Sequence, residues 1–73
     1  MYSKMIVKDT QNLGGFIRQH RKSMGLSQIN AAGLCGVGER FLSELERGKP
    51  TAEIGNVLQV INRLGFRLVL EEK

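Results

Sequence analysis

Apolar residues recur along most of this chain at three- and four-residue intervals, the spacing of helices with one buried face. Leu13, Phe16, Ile17 and Met24 form the first such stripe. Asp9 stands before it as an N-cap, with Asn12 three residues on making a weak capping box, and Gly25 stands behind it as a stop. The pattern predicts a helix from Asp9 to about Met24, in which Gly14-Gly15 weakens the first turn and fits close helix packing. Ser27 caps a second helix over Gln28 to Cys35, with Ile29, Ala32 and Cys35 facing inward. Gly36 tolerates left-handed backbone, so a sharp turn falls at Gly36-Val37-Gly38. A third helix runs from Glu39 to Arg47 with Leu42 and Leu45 on its buried side, and Gly48, Lys49 and Pro50 stop it. Small Ala31, Ala32 and Gly33 let the second and third helices cross closely. Thr51 caps a fourth helix, with Glu53 near its positive end and an apolar stripe of Ile54, Val57, Leu58, Ile61 and Leu64 that Val60 broadens; Gly65 ends it.

Beyond Gly65 the period changes from helical to alternating. Phe66, Leu68 and Leu70 share one face, Arg67, Val69 and Glu71 the other, which is a strand. A lone strand leaves its backbone donors and acceptors without partners. Two partners are available: Met5-Ile6-Val7 in the N-terminal arm, or the same strand of a second copy. Antiparallel pairing about Val69 sets Arg67 of one chain opposite Glu71 of the other, a match worth roughly 0.2–1 kcal/mol per pair. The expectation is a mainly α chain in three parts: an arm over 1–8, a bundle of four helices over 9–65, and a strand over 66–73. Phe66, Arg67, Leu68, Val69, Leu70 and Glu71 would pair across a homodimer.

Leu26 to Pro50 has the helix-turn-helix layout, whose second helix is free to enter a DNA major groove. LSQ, AAGLCGV and the FLSELERGKP run resemble the Xre/Cro-type repressor domains, and the likeness extends through LGGFIRQHRKSMG to cover about Asp9 to Glu71. Ala31 and Gly33 depart from it, standing where members usually carry a leucine and a stronger helix former. A glycine there costs up to about 1 kcal/mol relative to alanine. The resemblance implies a lambda-repressor-like bundle in which Arg21 pairs with Glu46, tying the first helix to the recognition helix. It also implies that Ser27 and Gln28 grip the DNA backbone. The chain is similar to HipB-like antitoxins as well, which carry a strand after their last helix and dimerise through it.

Composition narrows the classes. Seventy-three residues make one small domain that buries only about 60% of its unfolded surface, so a second copy adding core would help. A net charge of +4 and an isoelectric point of about 9.7 suit a polyanionic partner. Cys35, alone, excludes an internal disulfide and a cysteine-rich zinc site, suits a reducing cytosol, and packs as a small core residue. No apolar run approaches the ~20 residues of a membrane span, nor does the N-terminus have a signal peptide's form, so the expected setting is cytoplasmic and soluble. No metal cluster, nucleophile constellation or phosphate-binding glycine loop points to an enzyme, a cofactor or a small-molecule ligand. His20, without a second histidine beside it, reads as structural or as a minor phosphate contact, and Arg18 and Lys22 lie on a solvated face.

The interface residues divide by task, since phosphate contacts position a protein and base-edge contacts specify sequence. Free N–H groups at the helix start beside Ser27 and Gln28 favour a phosphate. Arg47 and Lys49 flank the far end, and Gly38 at the start of the recognition helix counts with them. Base readers project opposite Leu42 and Leu45, from Glu39, Arg40, Ser43 and Glu44. Arg40 has the fork for guanine; either Glu39 or Glu44 accepts from cytosine, while the other holds Arg40 in place. Phe41 fits the core edge best, with a thymine methyl or a protein partner as the alternative contacts. A dimer would set two recognition helices about 34 Å apart on an inverted-repeat operator. Two functions fit: a stand-alone Xre-family or phage-type regulator, or the HipB-like antitoxin of a toxin–antitoxin operon. The antitoxin would repress its own operon and neutralise a HipA-like serine/threonine kinase toxin. Small size, the absence of a ligand-sensing domain and the helix-Gly-strand ending favour the antitoxin.

Overall fold

A computed structural model describes residues 4–73 of the chain; the first three residues of the expected arm lie outside it. The elements are α1 (Thr10–Ser23), α2 (Gln28–Cys35), α3 (Glu39–Glu46) and α4 (Ile54–Arg63). Caps set the first two starts: Asn12 donates its backbone N–H to Asp9 Oδ1 at 2.7 Å, and Asn30 donates to Ser27 Oγ at 3.1 Å. Asn12 does not complete a capping box, because its Oδ1 accepts from the Lys8 N–H at 3.1 Å instead. Glu53, not Thr51, occupies the N-cap of α4, and no side chain caps that helix.

α1 packs on α3, α3 on α2, and α2 on α4. Ile17, Ala31, Ala32, Cys35, Leu42, Leu45, Val57, Val60, Ile61 and Leu64 are buried between them as one core. Two close approaches fix where α3 lies. A Cβ on Gly14 would fall 2.7 Å from the Glu46 carbonyl oxygen and nearer still to that of Leu45, so α1 and the end of α3 meet with no side chain between them. Gly48 has a φ of 88° and a Cβ there would sit 2.7 Å from Gln11 Cα, so only glycine fits the turn that brings the end of α3 onto the start of α1. Thr10 Oγ1 fastens that contact by donating to the Gly48 carbonyl at 2.7 Å. α4 is fastened differently: Gln59 donates to the Cys35 carbonyl at 2.6 Å and Arg63 to that of Leu34 at 3.2 Å, which satisfies carbonyls left free at the end of α2.

Several expected stripes are narrower than their periodicity. Ile29 is 64% exposed, Ile54 is 67% exposed, and Leu58 and Met24 also face outward. Phe16 is half-buried but does not join the core. The bundle has one shared interior, and helices as short as α2 and α4, of 8 and 10 residues, bury only the part of their apolar face that reaches it. Gly33 has open space around it, so the close crossing rests on Ala31 and Ala32 alone.

The strand expected over 66–71 is not formed in the single chain, and no strand occurs among the described residues. The physical reason is the one that made it ask for a partner: strand hydrogen bonds need a second edge, and none is supplied here. Lys4 Nζ of the arm lies 3.7 Å from Glu71 Oε2, and among the described residues no backbone hydrogen bond joins arm and tail. Phe66 anchors the tail's start, half-buried against the core and tilted on the His20 ring with centroids 4.4 Å apart. His20 itself donates Nε2–H to the Leu64 carbonyl at 2.8 Å, a structural tie between α1 and the end of α4. Leu68, Val69 and Leu70 are left exposed.

Candidate nucleic-acid interface

The recognition surface starts with what holds α3 still. Arg21, on α1, donates Nε to Glu46 Oε2 at 2.6 Å and Nη2 to Glu46 Oε1 at 2.9 Å, a two-pronged pair. Its remaining prong, Nη1, donates to the Leu26 carbonyl at 2.8 Å. Both side chains are nearly sealed from water, at 8% and 1% exposure, and no buried side-chain polar atom among the described residues lacks a partner. The Glu46 hydrogen bonds hold the guanidinium pKa above its ordinary value, outweighing the opposing effect of burial. A third helix joins through Gln28, whose Nε2 donates to Glu46 Oε1 at 3.1 Å. One carboxylate therefore sets the relative placement of α1, α2 and α3.

With α3 so fixed, Leu42 and Leu45 point into the core and Phe41 lies half-buried at its edge. The opposite face carries Glu39 and Arg40, exposed, with Ser43 and Glu44 half-buried beside them. Gly38 caps α3 without a side chain, and Glu39 in the first turn suits the positive end of the helix. Glu44 gathers two cations: Arg40 Nε lies 3.5 Å from its Oε2, and Lys49 Nζ lies 3.1 Å from its Oε1. The Lys49 hydrogen bond, with Arg40 adding to it, keeps the Glu44 carboxyl below the usual carboxylate range. Arg47 is exposed and has no ion-pair partner among the described residues. Gln11 of α1 lies at the same edge, bordering a shallow depression with Glu44, Arg47, Gly48, Lys49 and Pro50.

Of the positions singled out from sequence, Glu39, Arg40, Ser43, Glu44, Arg47 and Lys49 lie together on and just beyond α3. Ser27 and Gln28 lie at the start of α2, but Ser27 is engaged in its cap and Gln28 donates into the Glu46 network. The Arg40–Glu44 contact was legible as an i, i+4 pair. The Lys49–Glu44 contact was not, because it depends on how the chain folds back at Gly48.

A short helix held across a tight turn by its predecessor, polar face outward, defines a helix-turn-helix protein. The helix-turn-helix family model HTH_3 matches residues 17–70, and the chain belongs to that family, among the HTH-type transcriptional regulators. It is 49% identical over 59 residues to the HTH-type transcriptional regulator y4mF of Sinorhizobium fredii, across 81% of this chain and 78% of that one. Among solved structures it is similar to the HipB–O4 20mer complex, with a TM-score of 0.84 and 14% identity over 94% of this chain and 97% of that one. The HipA–HipB–O2–O3 complex matches with the same figures. At that identity the likeness is one of fold. No helix of the described residues is long and apolar enough to cross a membrane.

Proposed function

We propose that this chain is a sequence-specific DNA-binding repressor that acts as a homodimer on an inverted-repeat operator. The observation carrying the reading is the outer face of α3, clear of the core and bordered by Arg47 and Lys49, on a helix locked in place by the Arg21–Glu46 pair. Arg40 reads a base edge, while Lys49, Arg47 and the start of α2 at Ser27 and Gln28 meet phosphates. Gly38 lets the DNA backbone approach the start of α3; Glu39, Ser43 and Glu44 complete the reading face. The two copies join through 66–71, where Leu68, Val69 and Leu70 are exposed and, among the described residues, the backbone beyond Phe66 forms no strand pairing. Binding should be compared on operator and random DNA at one salt concentration. Arg40→Ala is expected to lose about 1–3 kcal/mol on operator only, and Arg47→Ala, which removes a cation with no ion-pair partner among the described residues, to weaken both equally. Equal loss on both for Arg40→Ala removes the base-reading role.

We infer further that the repressor is the antitoxin of a toxin–antitoxin operon, neutralising a HipA-like serine/threonine kinase toxin. The fold likeness to HipB, including HipB assembled with HipA, supports this. The relative at 49% identity, named only as a transcriptional regulator, favours the second reading, a stand-alone regulator. Pull-down of the tagged protein from its native host separates them: a co-purifying kinase encoded by the adjacent reading frame supports the antitoxin, and its absence the lone regulator.

A further inference from the structure

We propose that Glu44 is a specificity-determining residue, which holds two of the interface's cations in reserve and so suppresses binding to DNA of the wrong sequence. The proposal rests on the DNA-binding reading above and deepens it. Arg40 and Lys49 stand on opposite sides of one carboxylate, at 3.5 and 3.1 Å, so neither presents an uncompensated charge to a passing duplex. Arg40 extends into solvent, its side chain 91% exposed, while Glu44 sits further in at 25% and can hold its partners without obstructing the groove. Arg47, with no such partner among the described residues, remains available to any phosphate.

Binding to arbitrary DNA comes almost wholly from cations at phosphates. A bridge that must be given up before Arg40 and Lys49 reach DNA therefore weakens arbitrary complexes most. A cognate site offsets the loss through base contacts that other sequences lack. Glu53 supplies the comparison: it carries the same charge at the N-cap of α4, outside the reading face, and forms no ion pair among the described residues.

The test is salt-dependent binding of the full chain to a random-sequence duplex and to its own promoter fragment. Glu44→Gln is expected to bind random DNA about tenfold more tightly, with log K against log salt steeper by about 1 to 2 as one or both cations are freed for phosphates. The promoter-to-random ratio should fall accordingly. Glu53→Gln removes equal charge outside the reading face and should leave the slope unchanged. In an Arg40→Ala, Lys49→Ala background the Glu44→Gln gain should vanish, because nothing remains to be released. An unchanged slope for Glu44→Gln, an equal gain for Glu53→Gln, or a gain persisting in that background overturns the proposal while leaving DNA binding intact. Wild-type protein that binds no DNA in dilute buffer overturns both.

Discussion

The seam between α1 and α3 and the outer side of α4 are finished in different ways. At the seam, backbone meets backbone over Gly14, Gly48 sits on Gln11, and a buried ion pair has every prong engaged. At the outer side of α4, Ile54 and Leu58 face solvent, and the apolar tail that follows has no strand partner among the described residues. The first region is complete within one chain. The second reads as half of something, and its polar ties, Gln59 and Arg63 to the end of α2, orient α4 without covering it. The contrast separates the element that must be placed accurately, α3, from the surface proposed for assembly.

The largest effect should come from breaking the seam. Arg21→Ala leaves Glu46 buried with only Gln28 to satisfy it, and chemical denaturation should register a loss of about 3–5 kcal/mol. Most of that is the penalty of an uncompensated charge, so replacing Arg21 and Glu46 together by leucines should cost much less. A double variant as unstable as Arg21→Ala would mean the pair stabilises outright.

Deleting residues 66–73 attacks the other region. The expected result is a mass in solution falling from dimer to monomer while the helical content survives; an unchanged dimer would place the interface elsewhere. Smaller, and internal to the seam, is the contrast between two adjacent glycines. Gly14→Ala drives a methyl into the carbonyls of Leu45 and Glu46 and should cost about 1–3 kcal/mol. Gly15→Ala meets nothing within 4 Å and should stabilise by up to about 1 kcal/mol through helix propensity. Thermal midpoints moving in the same direction for both would contradict the close approach.

Much of the seam was legible in the chain. Asp9 and Ser27 announced helix starts, Gly36 and Gly48 announced ends, and Leu42 with Leu45 fixed which side of α3 is buried, hence which side is free. Those signals are local, and local chemistry decides them. Arg21 with Glu46 came from resemblance, since 25 residues separate them and no periodicity links them. Illegible were the contacts made only after the helices pack: Gly14 against α3, His20 on Leu64 and Phe66, and Lys49 folded back onto Glu44. Ile29 and Ile54 misled for the complementary reason, since periodicity marks a face as apolar without saying whether a neighbour reaches it. The tail was read as a strand from its alternation, which describes side chains, whereas the strand itself requires a second backbone.

Hydroxyl-radical footprinting of the protein on the DNA upstream of its own reading frame addresses the arrangement as a whole. Two protected half-sites, related by inversion and centred about one helical turn apart on the same face of the duplex, are the predicted result. Uniform reactivity along that DNA at low salt would contradict the placement of α3 as a reader of the groove.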